Sequence, residues 1–294
     1  MLSPFDVLFE ADSLTDYALP ADLKHLYGRL GFSTPVVYSN FVSSVDGVVT
    51  LGSKPSAGSI ISGKYPADRF LMGLLRACAD AVMVGAGTLR ATPGHLWTPA
   101  HVYPELGTEF IALRSALGRS AEPALVVLTA SGELDFKHPA LVRGATVVTT
   151  AAGEKKIGGR LPAACELVTM GTLNAPRVAR PGRPLRRASP ATSPASGEDK
   201  SLNMRAVIHE LNGRGHEVLL TEGGPHVVGQ LIEGHLLDEA FLTISPVVAG
   251  RGEEKRLGMV EGVELLPGKG AWNKLLSARR HGDYLFLRYG FKKT

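Results

Sequence analysis

Two short apolar runs, Val82-Met83-Val84 and Val218-Leu219-Leu220, each reach glycine within three residues and then turn into a helical pattern. A brief run that is apolar throughout, without alternation, reads as a buried strand. The first passes into Gly85-Ala86-Gly87-Thr88 and the second into Thr221-Glu222-Gly223-Gly224-Pro225. Strand, tight corner and helix repeated along a chain predict a mainly parallel sheet with helices on both faces.

The flanking sequence extends that pattern. Val36 to Val42 is β-branched and aromatic and runs toward Asp46-Gly47, a strong turn dipeptide, after which Val48 and Val49 suit a short return strand. Phe70, Leu71, Leu74, Leu75 and Cys78 recur at helical spacing, with Pro66 and Asp68 suited to the first turn. Strands are expected over residues 124–128, 145–149 and 166–169. Ser201 is the expected cap of a helix with its face on Met204, Val207, Ile208 and Leu211. A second helix follows Pro225, closed by Gly234. The last third reads as β, with strands at 239–244, 275–279 and 284–291 and a turn at Gly282-Asp283, so the sheet gains an antiparallel terminal hairpin. With 294 residues the chain could hold one large domain or two small ones. We read residues 1–34 as a lead-in and 35–294 as a single domain.

Charge is concentrated in one place. Between residues 176 and 200 lie Arg177, Arg180, Arg183, Arg186, Arg187 and Lys200 against Glu198 and Asp199, which accounts for the whole formal net charge of +4. Five prolines share that stretch, so it reads as a mobile insertion that cannot bury enough apolar surface to order itself. A basic arm can touch nucleic acid through phosphate charge, but no aromatic residues interleave this one to stack on bases. Nucleic acid is therefore not the expected partner. No apolar run reaches the length of a membrane helix, and Met1 to Asp6 has neither a basic region nor an apolar core, so a soluble, cytoplasmic protein is expected. Two cysteines and nine histidines without His-x-x-x-His spacing provide no metal pattern.

The two corners carry the chemistry. Glycine lets backbone N–H groups approach a ligand, and a helix start favours an anion, so a phosphate is the natural occupant of each. Two such corners on one sheet could grip the pyrophosphate of a dinucleotide; the bland alternative is that strand–helix turns are glycine-rich for geometry alone. Arg90 stands where the Rossmann fingerprint needs its third glycine, and no Gly-Lys-Ser/Thr follows, so neither a Rossmann nor a Walker site is indicated.

Three motifs occur in order: Asn40-Phe41-Val42-Ser43-Ser44-Val45-Asp46-Gly47, then Leu75 through Thr88, then Thr221-Glu222-Gly223-Gly224-Pro225. Together they resemble the reductase domain of the bifunctional riboflavin-biosynthesis deaminase/reductase, a relative of dihydrofolate reductase, over roughly residues 35–290. The resemblance implies a dihydrofolate-reductase-like fold, NADPH as hydride donor and a homodimer. It places Gly85, Ala86, Gly87 and Thr88 on the cofactor's phosphates, joined by Glu222, Gly223, Gly224 and Pro225, with a cis Gly223–Gly224 peptide conceivable. Thr129 to Ser131 follow a strand and suit the 2′-phosphate. Asn40, Ser44 and Asp46 would border nicotinamide and substrate, with Asp46 orienting or protonating the substrate. Ser59, Ser62 and Asp68 would face the same cleft.

Each of these residues also has a purely structural use: Asp46 as a turn former, Asp68 as a helix cap, Ser44 as an outward strand residue. Glu222 is expected to bond backbone N–H groups or a ribose hydroxyl, and Arg76 to pair with Asp80 four residues on. His95, Trp97, His101 and Tyr103 could stack on a planar heterocycle or pack a loop. Two departures from the family matter. The deaminase half, with its zinc motif, is absent. Arg90-Ala91-Thr92-Pro93 also replaces the acidic residues expected after the first corner, so the substrate is not carried over. The expected activity is NADPH-dependent reduction of a C=N bond in a pyrimidine, pterin or ribosylamino-pyrimidine. The alternatives are a non-catalytic NADP(H)-binding module and a nucleic-acid contact protein acting through the insertion.

Overall fold

The computed structural model describes residues 2–52, 57–170 and 201–292. The Pro/Arg-rich stretch expected to be mobile lies outside those residues. Helices are α1 (Ala21–Tyr27), α2 (Ala57–Ile61), α3 (Pro66–Cys78), α4 (Ala86–Ala91), α5 (Pro99–Val102), α6 (Gly107–Ala116), α7 (Pro139–Arg143), α8 (Ala151–Ile157), α9 (Met204–Gly213) and α10 (Pro225–Glu233). Strands are β1 (Asp6–Glu10), β2 (Val36–Ser43), β3 (Ala81–Gly85), β4 (Ala124–Thr129), β5 (Thr146–Thr150), β6 (Glu166–Met170), β7 (Val218–Thr221), β8 (Glu239–Ile244), β9 (Lys274–His281) and β10 (Tyr284–Gly290).

The strands form one sheet in the order β1-β9-β10-β8-β2-β7-β3-β4-β5-β6. From β8 to β6 neighbours run parallel, while β10, β9 and β1 join antiparallel. This is the expected mixed, mostly parallel sheet with a terminal hairpin. The apolar runs explain its two-sided burial. Val82 and Val84 enter one core with Phe70, Leu74 and Leu75 of α3, whereas Ala81 and Met83 enter the other with Val207 and Leu211 of α9 and Val228 and Leu231 of α10. Successive side chains of a strand point to opposite faces, so a continuous apolar run is what two helical layers require.

Helix α3 carries much of the site and is held at both ends. Pro66 opens it at N1, where the missing N–H removes nothing. At its C-terminus the buried Arg114 guanidinium donates to the carbonyls of Arg76, Ala77 and Ala79, the last at 2.6 Å. That places a cation against the negative end of the helix dipole.

Residues 2–34 join the same sheet. β1 pairs with β9, and Arg279 bonds both Glu10 and the Tyr27 carbonyl. Arg288 reaches the Gly31 carbonyl while its guanidinium lies over the rings of Phe32 and Phe241. Two local expectations are corrected. Val48 and Val49 form no strand, because the Asp46-Gly47 turn, with Gly47 at φ +82°, leads into irregular chain. The α9 cap is Asn203, whose side chain accepts from Ala206 N at 3.0 Å, and not Ser201. Among the described residues no helix is long and apolar enough to cross a membrane.

Candidate active site

A cleft of about 640 Å³ opens at the C-terminal ends of β2, β7 and β3. That edge is where parallel sheets place their ligands, since the helix starts and glycine turns collect there. The two glycine corners converge in it. Parallel pairing of β3 with β7 sets them side by side, and Glu222 N donates to the Met83 carbonyl at 3.0 Å. A Cβ on Gly224 would lie 3.7 Å from the Thr88 hydroxyl, and one on Gly87 would meet nothing within 4 Å. From the corners, Thr88, Glu222, Gly223, Gly224 and Pro225 line the cleft.

Backbone geometry accounts for the glycines. A Cβ on Gly223 would approach Val227 Cβ to 2.9 Å, so only glycine lets this corner fold against the first turn of α10. Gly224 caps that helix with no side chain, leaving its first turn facing the cleft. The Gly223–Gly224 peptide is trans.

Beneath the corners sits an ion pair that the sequence does not announce. Arg76 of α3 is 1 % exposed and grips the Glu222 carboxylate with two parallel bonds, Nε to Oε1 at 2.9 Å and Nη2 to Oε2 at 2.6 Å. Its Nη1 donates to the carbonyls of Leu96 and Thr98, and Nη2 also donates to His95 Nε2 at 2.9 Å. One guanidinium therefore fastens α3, the second corner and the loop after α4. The expected Arg76–Asp80 pair does not form: Asp80 bonds Arg119 and the backbone N–H groups of Glu217 and Val218. Glu222 correspondingly spends both oxygens on Arg76, not on backbone N–H groups. Burial, and then the adjacent Arg76 charge, hold His95 down at about 2, so its imidazole is neutral and its Nε2 is free to accept.

Asp68 faces the same cleft from the first turn of α3, 4 % exposed. Burial pushes its carboxyl up to about 6, against the Thr243 and Ser62 hydroxyls, which pull it down, while Glu222 adds to the rise. A buried carboxyl in this state exists in both protonation forms near neutrality, as a general acid requires. Asn40, Ser59 and Ser62 line the cleft beside it.

Asp46 behaves in the opposite way. Its carboxylate accepts from the Ser44 hydroxyl at 2.7 Å and from the Ala249 and Gly250 N–H groups at 2.9 Å, and these bonds, led by Ser44, lower it to about 2. It stays ionised at neutral pH and cannot give up a proton. Neither Asp46 nor Ser44 lines the cleft; they tie the turn after β2 to the loop after β8. That corrects the expectation of a protonating Asp46. Gly85, Ala86, Gly87 and Thr129 also lie outside the lining: Ala86 is buried, Gly87 is exposed, and the Thr129 hydroxyl is spent on Gly132 N. In the aromatic loop, Trp97 and Tyr103 are buried, yet Trp97 still borders the cleft with His95 and His101. Lys64 and Arg69, at the rim, were not singled out from the sequence. Among the described residues no cluster of His, Cys, Asp and Glu could hold a metal.

The family described as the RibD C-terminal domain matches residues 35–275. No curated protein matches the chain. Among solved structures, a pyrimidine reductase-like protein from Corynebacterium diphtheriae superposes with a TM-score of 0.65 at 20% identity, covering 92% of this chain and 99% of that one. RibD from Acinetobacter baumannii, form 1, gives 0.58 at 15% identity over 88% of this chain and 59% of its own. The deaminase/reductase from Thermotoga maritima gives 0.52 at 18% identity, over 88% and 57%. This chain thus spans under three fifths of the Thermotoga protein and about that share of the Acinetobacter one. At these identities the likeness is one of fold.

Proposed function

The chain belongs to the RibD C-terminal domain family, and from that premise we propose that it is an NADPH-dependent reductase of a C=N bond in a pyrimidine, pterin or ribosylamino-pyrimidine. The observation that carries the proposal is the open convergence of two glycine corners beside a buried carboxyl. In this reading a dinucleotide diphosphate lies over Thr88 and Gly223-Gly224, where the glycine backbone of the second corner can approach it without an intervening Cβ. NADPH, when bound, supplies the hydride.

The remaining work falls to this chain's residues. Arg76 fixes the corner and the 95–98 loop relative to α3, so the cleft's width is set before substrate enters. Asn40, Ser59 and Ser62 orient polar ring atoms of the substrate. Asp68 holds a proton at its carboxyl oxygen and would pass it to the nitrogen of the C=N bond, in the ring or exocyclic according to the substrate, as the carbon of that bond is reduced, directly or through one water. The neutral His95 and the Trp97 ring also line the cleft and add no charge to it. The homodimer and cytoplasmic setting expected from the family are part of this proposal.

The test is NADPH titration of the purified protein followed by turnover with a panel of pteridines and ribosylaminopyrimidines. The reading expects saturable NADPH binding and NADPH consumption with at least one panel member. Binding without turnover would favour a non-catalytic module, and absence of binding would exclude the reductase.

A further inference from the structure

The loop after α4 reaches the cleft with much of its polar surface already committed to Arg76. The guanidinium takes the carbonyls of Leu96 and Thr98 with Nη1, at 3.3 Å each, and His95 Nε2 with Nη2, at 2.9 Å. Two carbonyls that would suit a ligand N–H are thereby engaged within the protein.

The bond to His95 also settles where that ring carries its proton. A guanidinium has five donors and no acceptor, and it keeps its proton in proteins. Nε2 must therefore offer its lone pair, and the proton of the neutral ring sits on Nδ1. The opposite tautomer would set N–H against N–H, and a doubly protonated ring would do so beside a buried cation. Burial and the Arg76 charge hold the imidazole neutral. Among the described residues Nδ1–H donates to no protein atom, since the one side-chain bond of His95 is the one to Arg76.

The ring is held in this setting. It stands at 79° to Trp97, with centroids 5.1 Å apart, and at 84° to His101, 4.9 Å apart. Turning it over would present carbon to Arg76. All three rings line the cleft with Asn40, Ser59 and Ser62. The serine hydroxyls and the asparagine amide can each donate or accept, so they adapt to either kind of ring substituent. His95 does not.

We propose that Arg76 locks His95 as a hydrogen-bond donor at Nδ1, and that this donor makes the cleft select a heterocycle bearing carbonyl oxygens over its amino-substituted counterpart. This rests on the reductase reading above and adds a polarity to it. A carbonyl oxygen facing Nδ1–H gains a bond. An amino group there sets two donors against each other and leaves both unpaired, which is the costly arrangement.

Two measurements test the assignment. Imidazole ¹⁵N spectra of the full chain, with the His95 signals identified by their loss in His95→Gln, report the tautomer whether or not the protein is a reductase. The neutral, Nδ1-protonated form is expected at about pH 7; the Nε2-protonated form or a charged ring overturns the lock. Calorimetric titration in the presence of NADP⁺ then compares pteridine-2,4-dione with 2,4-diaminopteridine, in which both carbonyls are replaced by amino groups. The dione should bind at least about tenfold more tightly. In His95→Gln, whose amide can turn to donate or accept, the two should come within about threefold of each other, with a thermal melt confirming that the variant is folded. A wild-type protein that binds NADPH but takes the diamine as tightly as the dione, or takes neither, overturns the selection, as does a His95→Gln protein that keeps the full preference; the reductase reading survives each. Absence of NADPH binding overturns that reading and the selection with it, while the nitrogen spectra still decide the lock.

Discussion

Arg76 and Glu222, separated by 146 positions, meet in a two-bond pair in which the arginine is 1 % and the carboxylate 10 % exposed. The pair joins the helix that carries Asp68 to the corner that carries Gly223 and Gly224. Breaking one side of such a pair leaves a buried charge uncompensated, which costs about 3–5 kcal/mol. Arg76→Met should lose that much in urea unfolding, and Arg76→Met/Glu222→Met should recover a substantial part of it. An unchanged midpoint in the single variant would contradict the role given to Arg76.

Asp68 sets the pH dependence. Its carboxyl is raised from an ordinary 3.8 to about 6, so the folded protein binds the proton more tightly than the unfolded chain does. The stability this confers is complete below about pH 4 and lost as pH rises through about 6. Asp68→Asn should therefore stabilise the protein at pH 8 relative to wild type, by up to about 3 kcal/mol. It should show no such gain at pH 4.

The same group shapes turnover. With Asp68 as proton donor, kcat/KM should fall as pH rises above about 6, about tenfold for each further pH unit. In Asp68→Asn that limb should vanish and the rate should drop by about 10²-fold or more. A pH limb that persists in the variant would assign the proton to another group.

Asp46 is the internal contrast. Held at about 2 by Ser44 and two backbone N–H groups, it is ionised over the whole working range. Asp46→Asn should leave the position of the pH limb unmoved, with any effect appearing in KM through the loosened 249–250 loop. A limb displaced by this substitution would restore Asp46 as the acid.

Much of the sheet could be read in advance because its central strands state their own burial. Val82 to Val84 and Val218 to Leu220 are apolar on both faces, and Pro66 and Pro225 mark helix starts. β1 could not be read: Asp6 to Glu10 lies mostly exposed on the sheet's edge and pairs with β9 some 270 residues away, so neither alternation nor a turn reveals it. The site was legible where it depends on backbone, at Gly223, Gly224 and Thr88. It was illegible where it depends on long-range pairing. Asp80, four residues after Arg76, offered a local partner that the fold assigns to Arg119 instead. Asp68 and Asp46 are alike as letters. Only burial of one and three hydrogen bonds to the other separate the proposed proton carrier from a turn clamp.

The central claim is that the corners at Thr88 and Gly223–Gly224 clasp one diphosphate, and Gly224→Val tests it most directly. A Cβ at Gly224 makes only ordinary contact, 3.7 Å from the Thr88 hydroxyl, so the variant should stay folded, as its thermal melt checks, while placing its side chain on the cleft wall between the corners. Calorimetric titration with NADPH should then show affinity reduced about tenfold or more. A folded Gly224→Val protein that binds NADPH as tightly as wild type would contradict the account.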